Sequence, residues 1–262
     1  KVVTAFYDYS LKFTGAAISG KTPLDQIASL NRAGQYGSAK AAAEKYLAAH
    51  PNDQRVEQQL GISEFFLKDL TASAAALAKA GTIAPSFRAL AAHAFASAAV
   101  TLATQAQPDA QLASDYGRRA LALDHSANSY YALGIAQLAA KDYASATSDL
   151  TKARSLAFAD KQTATSAKFN LDAALLQAYV AGNDLANAEK IRAEMKKLNP
   201  NSTLGDEIVG NELLRAGMTD FNAGKYADAI KQFDQAAAGG SPQVQVTAYS
   251  QAAFAEQRLP KP

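Results

Sequence analysis

The chain has no cysteine and no tryptophan, and only three histidines, two methionines and eight prolines in 262 residues. Without a thiol there is no disulfide, no thiolate zinc site, no iron–sulfur cluster and no cysteine nucleophile. Charge of one sign is missing too: 26 Lys and Arg stand against 24 Asp and Glu, a net of +2. That balance supplies no polybasic field for phosphates and no acidic tail. The most apolar stretch, residues 89–103, is shorter than a membrane span needs, is rich in alanine and contains His93. It reads as a buried helix, and no transmembrane segment is expected. No basic region followed by an apolar one opens the sequence at Lys1. The expectation is a processed product, an exported bacterial protein whose signal peptide is gone; the composition fits a cytoplasmic protein nearly as well.

What the sequence does have is apolar content, 48% against 19% charged. That is enough to bury a core, and the length allows one or two domains or a single repeat array. Internal similarity decides for the array. Six segments share one pattern: a polar turn, an apolar residue, a small residue three further on, a large residue about four later, and a stop. They run over residues 34–51, 68–85, 108–125, 141–158, 183–200 and 224–241. The stops, from Pro51 to Ser241, are 33 to 42 residues apart. Insertions explain the longer spacings: residues 106–109 lengthen a turn, while 159–166 and 201–210 lengthen the entry to a first helix. Preceding helices show the other half of the unit, with Leu60-Gly61, Leu133-Gly134 and Ala216-Gly217 at corresponding places.

In each second helix the small residue is Ala39, Ser73, Ala113, Ala146, Ala188 or Ala229. There the helix crosses its partner closely, at the short end of the 8–10 Å range. Tyr36, Leu70, Tyr143, Leu185 and Tyr226 begin second helices; Leu77, Leu150 and Phe233 continue the same face. A single hairpin cannot hide its apolar faces and must stack on its neighbours.

These segments resemble the tetratricopeptide repeat family, whose unit is two antiparallel helices in about 34 residues. The resemblance covers roughly residues 22–242 and implies an all-α, right-handed α-solenoid of about six hairpins. The third unit departs from the pattern, lacking both the Leu-Gly pair and the Gly-x-Tyr turn. Residues 243–262 read as a capping helix and tail, which Gln251, Glu256, Gln257 and Arg258 make polar enough to face water. Residues 1–21 form an aromatic-rich extension. Phe6, Tyr9 and Phe13 lie at helical spacing, and Tyr7, Tyr9, Leu11 and Phe13 at strand spacing.

Chemistry is sparse. Gly15–Thr22 matches G-x-x-x-x-G-K-[ST], the phosphate-cradling loop. That loop needs a parallel sheet and a second strand delivering an Asp to magnesium. Repeats follow at once instead, so the match reads as a Gly/Ala/Ser linker. His50 and His125 sit beside unit ends, where they suit capping, and His93 reads as packed. Asp206 and Glu207 suit a helix start. No nucleophile–base constellation appears, so neither enzymatic activity nor a cofactor nor a metal site is expected.

In the resembled family the first helices line a concave surface that grips peptides or helices. The Lys/Arg/Asn clamp that some members use for acidic C-termini is absent; Leu24, Ala28, Gln58 and Ile62 stand there. What recurs is Asn128, Asn170 and Asn211, each five residues before a signature Leu or Ala. An amide array can bond to a peptide backbone without choosing side chains. Phe65, Phe66, Tyr131, Gln177, Met218 and Phe221 lie nearby. The expected function is a non-catalytic scaffold for a partner protein or peptide. RNA-binding helical repeats are the alternative, but they need a basic groove, and Lys and Arg are scattered here.

Overall fold

The computed structural model describes residues 22–259. Among them are thirteen α-helices and no strand. Six are second helices, and each begins where the repeat pattern places it. They are α2 (Tyr36–Ala49), α4 (Leu70–Ala80), α6 (Ala110–Leu123), α8 (Tyr143–Ala159), α10 (Leu185–Leu198) and α12 (Tyr226–Gly239). The first helices are α1 (Pro23–Arg32), α3 (Gln54–Phe66), α5 (Arg88–Thr104), α7 (Ala127–Ala139), α9 (Thr165–Ala181) and α11 (Leu204–Asn222). A thirteenth, α13 (Pro242–Glu256), follows them. The chain divides into two compact units, one up to Asp142 and one from Tyr143 onward.

Five of the six turns inside the helix pairs are built alike. The residue two before the second helix has a left-handed backbone: Gly34 (φ 73°), Lys68 (70°), Lys141 (62°), Asn183 (61°) and Gly224 (75°). In each turn that residue's N–H donates to the carbonyl three back, and the next N–H to the carbonyl five back. The acceptors are Asn31 and Leu30 in the first turn, Phe221 and Asp220 in the last. This Schellman closure satisfies carbonyls that a helix end otherwise leaves orphaned. Glycine adopts the conformation freely, whereas lysine does so at a cost of about 1–2 kcal/mol. Asp69, Asp109 and Asp184 then cap the following helices by accepting from the N–H groups of Ala72, Leu112 and Asn187. The α5–α6 turn, residues 105–109, lacks the left-handed residue, in line with its divergent sequence.

The six small residues are all deeply buried. Ala39, Ser73, Ala113, Ala146, Ala188 and Ala229 are each at most 1% exposed, and Leu77, Leu150 and Phe233 are fully buried. Ser73 is no exception chemically, because its hydroxyl donates to the Gly61 carbonyl at 2.7 Å. The glycines of the signature pairs explain themselves by the space they leave. A Cβ on Gly61 would lie 2.6 Å from Leu77 Cγ, and one on Gly217 would lie 2.5 Å from Phe233 Cε1. One helix of each of these pairs offers no side chain where the other offers a large one, which lets the axes approach.

In the first unit, α5 is the centre. Leu90, Ala94, Phe95 and Ala98 pack with Leu77 of α4, Tyr116 of α6 and Ala132 of α7. The 20-residue stretch Pro85–Thr104 is long and apolar enough to cross a membrane by composition, yet half of it is buried inside this core. Between α1 and α3, buried Asn31 donates to the Gln59 carbonyl and accepts from Ser63 Oγ at 2.8 Å. In the second unit, two insertions become helix. Residues 165–166 and 204–210 are helical, extending α9 to 17 residues and α11 to 19. Asp206 and Glu207 lie in the first turn of α11, as the helix dipole favours.

The second unit also holds an ion-pair cluster that the sequence patterns did not reveal. Arg154 of α8 donates from Nε to Asp172 of α9 at 2.5 Å and from a terminal nitrogen to Glu194 of α10 at 2.6 Å. Its guanidinium lies 4.3 Å from the Phe158 ring centre. Asp172 is fully buried, and its second oxygen has no partner. Burial pushes this carboxyl above its ordinary value, against the pull of Arg154.

Two expectations follow. Ala146→Leu should overpack the fully buried position it occupies and cost about 1–3 kcal/mol, read from denaturant melts. Ala144→Leu, at an exposed position two residues away, should stay within about 0.5 kcal/mol of the parent; equal losses would refute the register. Arg154→Met should cost about 3–5 kcal/mol at neutral pH, because it strands a buried carboxylate. The raised Asp172 group binds its proton more readily folded than unfolded. The Arg154→Met deficit should therefore shrink as pH falls into the carboxylate range. A deficit that does not change with pH would mean that Arg154 acts by packing alone.

Candidate functional site

The residues singled out on the first helices divide into two chemical groups. Asn128, Asn170, Gln177 and Asn211 are exposed, whereas Phe65, Tyr131 and Met218 are half-buried. Asn128 is the second residue of α7, and the helix is capped by Ser126, which accepts from the Ser129 N–H at 3.4 Å. Asn128 is therefore not the cap. Asn170 and Asn211 lie inside α9 and α11, five and seven residues beyond the first helical residue. An exposed Asn in a helix interior costs several tenths of a kcal/mol relative to Ala, so packing does not account for either. Each of the four amides is without a hydrogen bond among the described residues. α9 and α11 pack directly on each other, which puts Asn170, Gln177 and Asn211 on neighbouring helices of one unit.

The apolar candidates are engaged in packing. Phe65 meets Phe66 edge-on at 5.5 Å and His93 at 5.6 Å, and Phe66 stacks on Tyr36 at 4.4 Å. Met218 and Phe221 pack against the buried cluster of Ala229 and Phe233. Burial raises the Tyr131 phenol and holds the His93 imidazole below its usual value, with Lys68 adding to the second effect. A lowered imidazole pKa leaves His93 neutral at pH 7, as suits a packed ring. His50 caps α2: its backbone N–H donates to Tyr46 and Leu47 carbonyls, and its ring stacks on Tyr46 at 4.3 Å. His125 is exposed one residue beyond the α6 C-cap, Asp124, with its ring 6.3 Å from that of Tyr130.

A shallow depression of about 620 Å³ opens where α2 meets α3, lined by Tyr46, His50, Asp53, Gln54 and Arg55. Its polar groups serve the helix ends: Asp53 caps α3 by accepting from Arg55 and Val56 N–H groups, and Tyr46 donates to Asp53 at 3.4 Å. Among the described residues no three His, Asp or Glu side chains come close enough to hold a metal. Residues 15–21 of the phosphate-loop match lie outside the described residues, as do Phe6, Tyr7, Tyr9, Leu11 and Phe13. Thr22, the last residue of the match, is the N-cap of α1: it accepts from the Asp25 N–H and donates to the Asp25 carboxylate at 2.6 Å. That hydroxyl is in use as a helix cap.

Sequence patterns missed the charged groups placed between helices. Glu57 and Glu64, seven residues apart on α3, are buried against Lys79 of α4 and Lys40 of α2 at 3.8 and 3.4 Å. Burial raises both carboxyls, with the lysines pulling the other way. The signal was present: Asp172 stands three and four residues before the buried pair Leu175 and Leu176, on the apolar side of α9.

No family model matches the sequence, and no curated protein matches it. Solved structures do. The Pseudomonas aeruginosa protein pilF is similar with a TM-score of 0.42 and 21% identity, over 80% of this chain and 92% of its own. Yeast Tom70 gives 0.38 and 17%, over 95% of this chain and 52% of its own. The Cut9–Hcn1 hetero-tetramer of the APC/C gives 0.37 and 17%, over 88% of this chain and 48% of that one. The chain spans about half the length of the last two. All three are tetratricopeptide-repeat proteins. The helix pairs, their recurrent turns and their small-residue crossings make the fold of this chain an all-α helical repeat of the tetratricopeptide-like kind.

Proposed function

We propose that the chain is a non-catalytic scaffold that holds a partner protein or peptide along its first helices. Asn128, Asn170 and Asn211 bond to the partner's backbone in this reading, with Gln177 on the same helix as Asn170. One observation carries it: three successive first helices present an exposed, unbonded amide at the same place relative to the signature core. An amide both donates and accepts, so it suits an extended backbone of any sequence. Tyr131, half-buried, supplies apolar contact beside Asn128. Phe65 and Met218 contribute by fixing the helices that carry the surface rather than by contact. The reading is independent of the near-neutral charge, which gives RNA no electrostatic grip.

The test is the triple variant Asn128→Ala, Asn170→Ala and Asn211→Ala. Exposed Asn→Ala changes inside helices should raise stability by several tenths of a kcal/mol each at positions 170 and 211. Partner recovery should fall, since three net hydrogen bonds of about 0.5–1.5 kcal/mol are together worth one to three orders of magnitude in affinity. Partners are first identified by quantitative pull-down with the parent chain, and their affinities are then compared. A variant that is more stable and binds less supports the proposal. Undiminished binding removes the amides from the surface.

A further inference from the structure

Three ion pairs between helices are lopsided in the same way. The carboxylates Glu57, Glu64 and Asp172 are buried, and each keeps one oxygen without a partner. Each is paired with a single cation among the described residues: Lys79 at 3.8 Å, Lys40 at 3.4 Å and Arg154 at 2.5 Å, respectively. The cations are less dependent on the pairs. The Lys79 side chain is 69% exposed and stands in water. Lys40 has a second carboxylate, Glu44, at 3.7 Å, and Arg154 has Glu194 at 2.6 Å. Loss of the buried charge therefore strands no cation, whereas loss of the cation strands the buried charge. Like charges add to the imbalance, with Asp69 and Glu44 facing Glu64 and Glu194 facing Asp172. Among the described residues α1 and α5, which also pack on α3, bring no ion pair to Glu57 or Glu64. α11 brings none to Asp172, because its Asp206 is held by Arg192 and Lys196 of α10.

We propose that these three carboxylates make the repeats proton-responsive: Glu57, Glu64 and Asp172 take up protons as the solution turns mildly acidic, and the helices packed on them hold more firmly when they do. An ionised carboxylate in an alanine-rich interior has lost its water and regained one cation, so its desolvation is not fully offset. A proton removes that deficit, because the neutral acid costs far less to bury. Burial accordingly raises all three carboxyls, with the cations pulling the other way. The sign follows by linkage. A carboxyl that holds its proton more tightly folded than unfolded adds stability as pH falls, and the gain is complete below its unfolded value. Capping carboxylates behave oppositely. Against a raising effect of burial, the N–H groups of Val56 and Arg55 hold Asp53 below its ordinary value, so that cap weakens only in stronger acid. Between the two kinds of group lies an interval of mild acid in which the packing tightens. Glu57 and Glu64 lie two turns apart on α3 and reach different neighbours, α4 and α2, so protons act on both sides of that helix. In the second unit Asp172 acts between α9 and α8.

Urea denaturation of the full chain and of its Glu57→Gln, Glu64→Gln, Asp172→Asn variant tests this, since each amide copies the neutral acid in shape. At about pH 7.5 the folding constant of the variant should exceed that of the parent at least about fivefold, and the ratio should shrink towards one as pH falls to about 5. Should the triple variant fail to fold, Glu57→Gln alone carries the same comparison, because its cation already stands in water. Carboxyl carbon NMR of the parent reads the protons without any substitution: Glu57, Glu64 and Asp172 should titrate at higher pH than exposed Asp and Glu. Amide exchange, corrected for its intrinsic pH dependence, locates the effect. Opening of α3 and α9 should slow in mild acid relative to α13, which buries no carboxylate. A variant no more stable than the parent at about pH 7.5 overturns the proposal. So do buried carboxyls that titrate together with the surface ones, or exchange in α3 and α9 that follows α13 at every pH.

Discussion

The α3–α4 and α11–α12 crossings depend on positions where a side chain must be nearly absent. The second helices present Ala or Ser there, and α3 and α11 answer with Gly61 and Gly217. Close approach multiplies dispersion contacts along the crossing, each tiny alone but numerous together. It also makes the fold intolerant of bulk at a few sites and permissive elsewhere, since a methyl buries much less apolar area than a leucine. An alanine-rich core gains its stability from many close contacts, with few large anchors such as Phe95, Phe233 and Leu150.

The reversals between helices follow from that constraint. Two helices that approach closely need a short connection, and the Schellman turn provides one that leaves no carbonyl orphaned. The chain accepts a left-handed lysine at positions 68 and 141 to keep that geometry. Where glycine fills the same role, at 34 and 224, a Cβ would meet nothing within 4 Å. The requirement there is conformational, whereas at Gly61 and Gly217 it is steric. Similar residues recur in the sequence for two different physical reasons.

That distinction explains how much could be read in advance. Helix starts at Tyr36, Leu70, Tyr143, Leu185 and Tyr226, and burial of all six small residues, follow from local patterns that every repeat restates. The exact starts of α9 and α11 did not: an insertion before a helix can lengthen the loop or the helix, and only tertiary support decides how much of each. The outer face of α13 was misread for a related reason. Four polar residues near its end, Gln251 to Arg258, looked like a wet cap, but rotation about the helix axis sets which side chains face water. The anchoring residues Val244, Ala248, Ala252 and Ala255 turn Val246, Tyr249 and Phe254 outward. The candidate amides at 128, 170 and 211 were legible as an interval. Their exposure depended on the structure, because an Asn on a first helix can equally join a buried network, as Asn31 does.

Alanine packing has a weakness that the buried carboxylates offset. A helix slipped by one turn sets alanine against alanine again at little cost, so apolar contact alone discriminates poorly between registers. An ion pair does discriminate. The same slip would part Glu57 from Lys79, Glu64 from Lys40 and Asp172 from Arg154, leaving a charge in the interior without its cation. Stranding one such charge costs several kcal/mol, far more than exchanging one methyl contact for another. Each of these carboxylates keeps one oxygen without a partner, so the pairs add little to stability as bonds. Their effect is on the alternatives. They raise the energy of slipped arrangements that a repetitive, alanine-rich sequence would otherwise leave close to the native one, and a charged residue on an apolar helix face is useful here because it fits only once.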